Sequence, residues 1–320
     1  MASSTLIYEI EKDLFRYGGP ILIVIGSISC ILNLMVFMKD GLRKNPCSVC
    51  FIAINMTNFA YIYLGLLFVV LPSGYGIDPS TNNIDFCRFR YYADTILTCW
   101  ESSYLILASI DRTMITSRNA NTRKRSTRRL IFICIISIAI FWALFHIHAL
   151  IFAQILEEGP NYFVCYYQPG AYTTFITYYS LFINGLIPPF LMILFGIQTV
   201  KNARQLGRKT GPAKSSNVGS VSVGGTHIVQ SKDQQLIRIV LVDIITYIIC
   251  KCPVTLFLIY QQITQYQMKS AQQEIIEQLV AQIIYFVFFM ETSIGCYTNL
   301  LVSKTFRREL KLIFIRNHDA

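Results

Sequence analysis

The fold is decided by the stretch CRFRYYADTILTCWESSYLILASIDR, residues 87–112. It begins with Cys87 at the end of a polar loop, continues through a mostly apolar segment and ends on the acid–arginine pair Asp111 and Arg112. A helix of this length spans about 37 Å, which is enough to cross a bilayer with one end in each interface. The stretch therefore predicts a membrane-crossing helix with a thiol on one side and a charged pair on the other.

Apolar blocks of helix length recur along the whole chain. Hydrophobic residues make up 53% of the sequence and charged residues only 14%, which is unusual for a soluble domain. The blocks lack the polar stripe of a soluble bundle and the alternating pattern of a membrane barrel. We therefore predict an all-α membrane protein, a bundle of seven transmembrane helices. The predicted spans are residues 19–38, 47–71, 84–116, 129–155, 172–201, 232–263 and 275–301.

The basic residues predict the orientation in the membrane. Most of the 28 Lys and Arg residues fall in alternate loops and in the C-terminal tail, which the positive-inside rule assigns to the cytosol. This pattern predicts a multi-pass plasma-membrane protein with an extracellular tail at 1–18, a transmembrane domain at 19–301 and a cytosolic segment at 302–320. The last segment has an apolar face and a basic face, which is typical of a short amphipathic eighth helix on the inner leaflet. We expect membrane lipid, and not nucleic acid, to be the partner of the basic charge.

The predicted loops contain a candidate disulfide and one long linker. Of the ten cysteines, only Cys87 and Cys165 fall in predicted outer loops, where a disulfide can persist, and we predict that they are bonded. The linker at 207–231 is rich in Gly, Ser and Val and is predicted to be a flexible third cytosolic loop.

Ionisable side chains inside the predicted spans are candidate functional residues, because they are costly in hydrocarbon without partners. Asp94 and Glu101 are seven residues apart and share one face of the third span; alternatively, Asp94 lies in a hydrated position near the outer end. His146 and His148 are two residues apart, so their rings do not converge on one metal ion. The sequence predicts no metal site, no cofactor and no catalytic constellation, and hence no enzyme.

The chain resembles a rhodopsin-like (class A) G-protein-coupled receptor over almost its whole length, and its entry to helix six from Lys232 is most similar to invertebrate neuropeptide receptors of the FMRFamide type. The matching positions are Asn33 of helix one, Cys87 of helix three, Asp111-Arg112-Thr113 for Asp-Arg-Tyr, Trp142 of helix four, Cys165 of the second outer loop, Pro188 or Pro189 of helix five, Cys250-Lys251-Cys252-Pro253 for Cys-Trp-x-Pro, and Phe306-Arg307 at the start of helix eight.

The resemblance implies a receptor that binds an extracellular ligand and activates a heterotrimeric G protein by opening its cytosolic face around Arg112. Asp111 can pair with Arg112 locally. Asp233 lies about 30 Å of helix below Pro253, at the cytosolic end of helix six. The resemblance implies that an Arg112–Asp233 bridge keeps the cytosolic face closed until helix six swings outward. The alternative is that Asp233 only solvates a basic loop.

The sequence departs from this family in the middle of the membrane, where the family commonly binds sodium. We expect Lys251 to replace that ion as the local cation and to pair with Glu101 or Glu291. The Asn-Pro-x-x-Tyr motif of helix seven is essentially lost at residues 295–299. The predicted buried polar pocket consists of Asn33, Asn58, Glu101, Lys251 and Glu291.

The ligand predicted from these residues is a neuropeptide. Asp94 occupies the position at which amine receptors, and some peptide receptors, place a carboxylate for a cation. Val254 and Thr255 follow Pro253, where an amine receptor would have aromatic residues, so a peptide with an Arg or amine that reaches Asp94 is favoured. The predicted ligand-binding residues are Asp94, Glu157, Glu158 and Tyr285.

Three alternatives remain at this point. The first is a biogenic-amine receptor that uses Asp94. The second is a receptor-like protein that binds ligand without coupling, because the helix-seven motif is degenerate. The third is an ion- or proton-coupled transporter that uses Glu101, Lys251 and Glu291 as a relay, although the chain lacks the internal repeat typical of transporters.

Overall fold

The structure is a computed structural model of the chain. It describes the backbone of residues 2–159, 162–209, 224–264 and 267–316, and the side chains of residues 7–157, 163–205, 233–264, 267–313 and 315. Within these ranges seven long helices form a bundle and a shorter helix follows, as predicted. The helices are α1 (Ala2–Phe37), α2 (Pro46–Tyr75), α3 (Ile84–Ile115), α4 (Arg128–Phe152), α5 (Ala171–Lys209), α6 (Gly224–Thr264), α7 (Ala271–Val302) and α8 (Lys304–Arg316).

The third helix differs from the others in its charge. Six of the described helices are long and apolar enough to cross a membrane, and α3 is not among these six. It carries Asp94 and Glu101 between charged residues near both ends. Because α3 packs against α2, α4, α5 and α6, its ionisable groups can lie inside the protein and avoid lipid.

Two predicted boundaries differ from the structure. The first helix begins at Ala2 and passes through a π-helical turn at Leu14–Gly18, so the predicted tail at 1–18 is helical. This segment has no Pro or Gly before Gly18, and Phe15 is fully buried. The backbone of the sixth helix extends back to Gly224, into the predicted linker; residues 210–223 of that linker lie outside the described residues.

The outer connection between α4 and α5 is a β-hairpin that the sequence analysis had treated as a loop. Strands β1 (Ala153–Gly159) and β2 (Tyr162–Tyr167) pair antiparallel, with Ile155 opposite Cys165. The predicted Cys87–Cys165 disulfide is confirmed and ties β2 to the outer end of α3. Burial raises the pKa of the Tyr167 hydroxyl beside this bond, so the hydroxyl stays neutral.

Two apolar clusters fill the helix bundle with a polar layer between them, and a third surrounds the Cys87–Cys165 disulfide. The outer cluster includes Tyr61 and Leu97, and the inner cluster includes Phe51 and Leu105. Glu101 lies between Leu97 and Leu105 on α3, so it sits at the level where the two clusters meet. The order of residues along the helices therefore places the buried polar groups at mid-membrane.

The inner end of α6 is joined to the start of α8. The side-chain amide oxygen Oε1 of Gln235 accepts hydrogen bonds from the Ser303 hydroxyl (3.1 Å) and the Thr305 backbone N–H (2.5 Å). Ser303 also accepts from the Phe306 backbone N–H at 3.1 Å. Phe306 is buried and packs against Phe37 of α1. The ends of α1, α6 and α7 on this side of the bundle thus form one contact region with α8.

Candidate functional site

Polar and charged side chains meet at three levels of the bundle, all of which include residues of α3. We name these the outer cavity, which contains Asp94; the buried ion cluster, formed by Glu101, Lys251 and Glu291; and the inner ion pair, formed by Arg112 and Asp233.

The outer cavity has a volume of about 400 Å³ and lies between α2, α3, α5, α6 and α7. Asp94 and Lys251 are the two charged residues of its described lining. A cavity of this size suits a small molecule or the end of a larger ligand. The remaining lining residues are Tyr61, Val69, Ser73, Thr95, Thr98, Ser180, Asn184, Gly185, Tyr247, Val254, Thr255, Leu258, Gln282, Tyr285, Phe288 and Phe289.

The four predicted ligand residues do not all lie at this cavity. Asp94 and Tyr285 line it. Glu157 is exposed on β1 and is not part of the lining. The side chain of Glu158 lies outside the described residues.

The cavity wall contains residues to which the sequence analysis gave no role. Gly185 of α5 faces Thr255 of α6, and a Cβ atom at position 185 would lie 2.7 Å from the Thr255 side chain. Only glycine allows this close approach of α5 and α6. Asn184 beside it accepts a hydrogen bond from the Cys99 thiol at 3.2 Å, which ties the cavity wall to α3.

The two histidines of α4 belong to the packing around this wall. His146 is buried, with its ring nitrogens 2.9 Å from the Trp142 carbonyl and 3.0 Å from the Tyr179 hydroxyl. His148 lies 2.7 Å from the Tyr172 hydroxyl. Within the part of the chain that the structure describes, no group of three or more His, Cys, Asp or Glu side chains could hold a metal ion.

In the buried ion cluster, one lysine lies between two glutamates on different helices. Lys251 Nζ on α6 donates to Glu101 Oε2 on α3 at 3.0 Å and lies 3.4 Å from Glu291 Oε2 on α7. The three side chains are at most 9% exposed. The Phe288 ring covers the ammonium with its centroid 3.7 Å away, close enough for a cation–π contact. A single ammonium thus links three helices.

A polar cavity of about 20 Å³ lies on the side of this cluster away from the outer cavity and includes Asn33 and Asn58 of the predicted pocket. With its amide turned so that the nitrogen faces α3, Asn58 donates to Glu101 Oε1 at 3.1 Å. Asn33 donates to Asn55 at 2.8 Å and accepts from Asn299 at 3.2 Å. The space is sufficient for one water molecule.

This polar cavity also contains groups that sequence reasoning did not assign to it. Asn55, Asn299 and Asp243 all line it. Among the residues that the structure describes, Asn299 Oδ1 and Glu291 Oε2 have no hydrogen-bond partner although both are buried. The cavity is therefore rich in acceptors.

The inner ion pair is part of a larger network around the fully buried guanidinium of Arg112. Its nitrogens contact Asp111 Oδ2 at 2.5 Å, Asn45 Oδ1 at 3.0 Å and Asp233 Oδ1 at 3.3 Å. Asn45 also donates to Asp233 at 2.9 Å, and the Ser126 hydroxyl donates to Asp111. The network therefore joins α3 and α6 to the loop before α2 and the loop before α4.

Sequence reasoning missed Asn45 and Ser126 in this network. Asn45 also accepts a hydrogen bond from the Cys47 backbone N–H at 3.1 Å as the N-cap of α2. An Asn directly before Pro46 predicts an N-cap, but this pattern does not predict a contact with Arg112.

Pro253 lies inside α6, two residues from Lys251 and away from the inner ion pair. A proline within a helix removes one backbone hydrogen bond and weakens the helix at that turn. Pro253 is therefore placed where α6 can bend between the outer cavity and the cytosolic end.

The family model described as 7 transmembrane receptor (rhodopsin family) matches residues 80–295. Comparison with curated proteins gives no match. The matched range includes the disulfide, Asp94, the whole buried ion cluster and the inner ion pair.

Proposed function

Because the chain belongs to the rhodopsin family of seven-transmembrane receptors, we propose that it is a plasma-membrane receptor for a cationic neuropeptide and that it activates a heterotrimeric G protein. Membership of this family makes it a multi-pass membrane protein that signals, and not an enzyme. The proposed orientation places the N-terminus and the β-hairpin outside the cell. The observation that carries the ligand class is the carboxylate of Asp94 in the wall of the outer cavity.

The charge balance of the outer cavity supports a cationic ligand. Lys251 also lines the cavity, but its ammonium is already paired with Glu101 and lies near Glu291. Arg90, one helical turn before Asp94, is directed to Asp78 at 3.6 Å. The Asp94 carboxylate therefore remains as the charge available to a ligand, and it would attract an ammonium or guanidinium group.

A peptide is supported by the surface next to the cavity. Phe163 and Tyr166 of β2 are 45% and 44% exposed, and Glu157 is exposed opposite Phe163. Exposed aromatic side chains at a rim are typical of interaction sites. A peptide could insert one cationic residue at Asp94 and extend across the hairpin.

An amine is the second candidate, and the aromatic lining favours it. Tyr285, Phe288 and Phe289 line the same cavity as Asp94. Aromatic faces near a carboxylate suit a small organic cation, which gains cation–π contacts in addition to the ion pair. An amine would occupy the cavity without contacts to the hairpin.

Nucleotide exchange on purified G proteins tests the proposal. Wild type and Arg112→Ala would be assayed against a pool of amidated peptides and amines. We expect a member of the pool to stimulate exchange by wild type, and we expect Arg112→Ala to lose this stimulation, since the guanidinium released from Asp233 would contact the G protein. If a folded, correctly oriented wild type never stimulates exchange, coupling is contradicted and a receptor-like protein that binds without signalling is favoured.

Neutralising Asp94 should strongly weaken the binding of a cationic ligand. We expect Asp94→Asn to raise the half-maximal concentration roughly 100-fold, because removing one partner of a buried charge pair costs about 2–5 kcal/mol. Glu157→Gln is the matched control: it removes a carboxylate that lies outside the cavity, so it should leave the half-maximal concentration of an amine unchanged. Equal potency of wild type and Asp94→Asn would remove the proposed role of Asp94.

A further inference from the structure

The two carboxylate partners of Lys251 are not equivalent. Glu101 on α3 accepts a hydrogen bond from the ammonium at 3.0 Å. Glu291 Oε2 on α7 lies 3.4 Å from it and has no hydrogen-bond partner among the described residues. An ammonium has three N–H donors, so the second carboxylate is within reach without being engaged.

The structure shows this arrangement with the cytosolic face closed. Arg112 on α3 contacts Asp233 on α6 at 3.3 Å, so α3 and α6 are joined both at mid-membrane and at the inner end. The sixth helix packs along α7 over much of its length but meets α3 at far fewer positions. Movement of α6 away from α3 would therefore break the contact between Lys251 and Glu101 but keep Lys251 close to Glu291.

We propose that Glu101 and Glu291 are alternative partners of Lys251: Glu101 holds α6 toward α3 in the closed receptor, and Glu291 accepts the hydrogen bond of the ammonium once α6 has moved away. This inference rests on the proposed function, because it describes how the same receptor opens. Glu291 is then a positioning residue for the open state.

The surroundings of the cluster provide both the space and the stimulus for this exchange. The cavity of about 20 Å³ that Glu291 lines gives its side chain space to change rotamer. On the opposite side, Lys251 and Phe288 line the outer cavity. A ligand that reaches the floor of that cavity would thus change the environment of the Lys251 ammonium, for which Glu101 and Glu291 are both within reach.

The matched variants Glu101→Gln and Glu291→Gln test this inference. Each removes one carboxylate charge, keeps the side-chain shape and leaves one acid for Lys251. The proposal requires effects of opposite sign: Glu101→Gln raises the ratio of open to closed receptor about tenfold, and Glu291→Gln lowers it about tenfold, as expected for the loss of one charge-assisted hydrogen bond from either state.

The ratio can be measured without ligand or G protein by pulsed electron paramagnetic resonance on the full chain. Spin labels at Arg129→Cys on α4 and Arg238→Cys on α6, both exposed positions, report the distance between the inner ends of these helices. The half-buried Cys134 and Cys252 are replaced by Ser in all samples. The Glu291→Gln measurement is made in the Asp233→Asn background, in which we expect the open state to be populated enough to detect a decrease.

Opposite shifts in the two variants would support the exchange of partners. Shifts of the open-to-closed ratio in the same direction, or no shift in either variant, would overturn it. If the cluster were purely structural, removing either glutamate charge would change the ratio in the same way. If a Gln variant does not fold, the pair Glu101→Asp and Glu291→Asp must show the same opposite signs. A receptor that never stimulates nucleotide exchange would contradict the proposed function, whereas these distances would still decide the inference.

Discussion

Lys251→Met is expected to lower the free energy of unfolding by about 3–5 kcal/mol, the usual cost of removing one partner from a buried ion pair. Methionine keeps most of the aliphatic stem, so the loss comes from the charge. Glu101 and Glu291 would then face each other in the buried site without a cation, and unpaired buried carboxylates are costly. Denaturation of the purified receptor in detergent measures the difference.

The double variant Lys251→Met with Glu101→Gln should recover much of this loss, because it removes one of the two orphaned carboxylates. Lys269→Met is the control: Lys269 pairs with Glu277 at 2.5 Å near the outer end of α7, where water can replace the ammonium, and we expect a much smaller loss than for Lys251→Met. A Lys251→Met variant as stable as wild type would contradict the pairing of Lys251 with the two glutamates.

Asp233→Asn is expected to raise ligand-independent nucleotide exchange about tenfold. The substitution removes the charge that links α6 to Arg112, while Asp111 continues to hold the guanidinium on α3. Asp233 is 24% exposed, so its ion pair with Arg112 is neither fully exposed nor fully buried. Loss of this pair should therefore destabilise the closed state relative to the open state by about 1–2 kcal/mol. A shift of 1.4 kcal/mol in the closed–open equilibrium is a factor of about ten.

The basal exchange rate of purified receptor with G protein measures this effect. Asp40→Asn is the matched control, because Asp40 pairs with Arg43 at 3.0 Å in the loop before α2 with both side chains exposed; it should leave the basal rate unchanged. Equal basal rates for wild type and Asp233→Asn would show that the inner ion pair does not restrain α6.

The seven spans and the disulfide could be predicted because they depend on properties that are local in sequence. Hydropathy identifies six of the spans as helix-length apolar blocks, and the third is an equally long segment interrupted by charged residues. The positive-inside rule then leaves Cys87 and Cys165 as the two cysteines expected in an oxidising compartment. The three members of the buried ion cluster could also be recognised, since a charged residue inside an apolar block requires a partner.

The remaining parts of the site depend on contacts between distant segments. Asn45 and Ser126 were missed because a polar residue in a cytosolic loop carries no signal that it contacts Arg112 of α3. Glu157 was placed at the ligand site because it lies in an outer loop, but the hairpin directs its side chain to solvent. The pairing register of β1 and β2 decides that direction, and the sequences of two short segments do not predict this register.

The hydrogen bonds from Ser303 and Thr305 to Gln235 have a consequence for the bilayer itself. If α6 swings away, Gln235 leaves with it, and the Thr305 backbone N–H in the first turn of α8 loses its partner. Water or a lipid headgroup must then take the place of Gln235. We therefore expect the lipid composition to contribute to the free-energy difference between the two receptor shapes, and we expect the same ligand to differ in strength from one membrane to another.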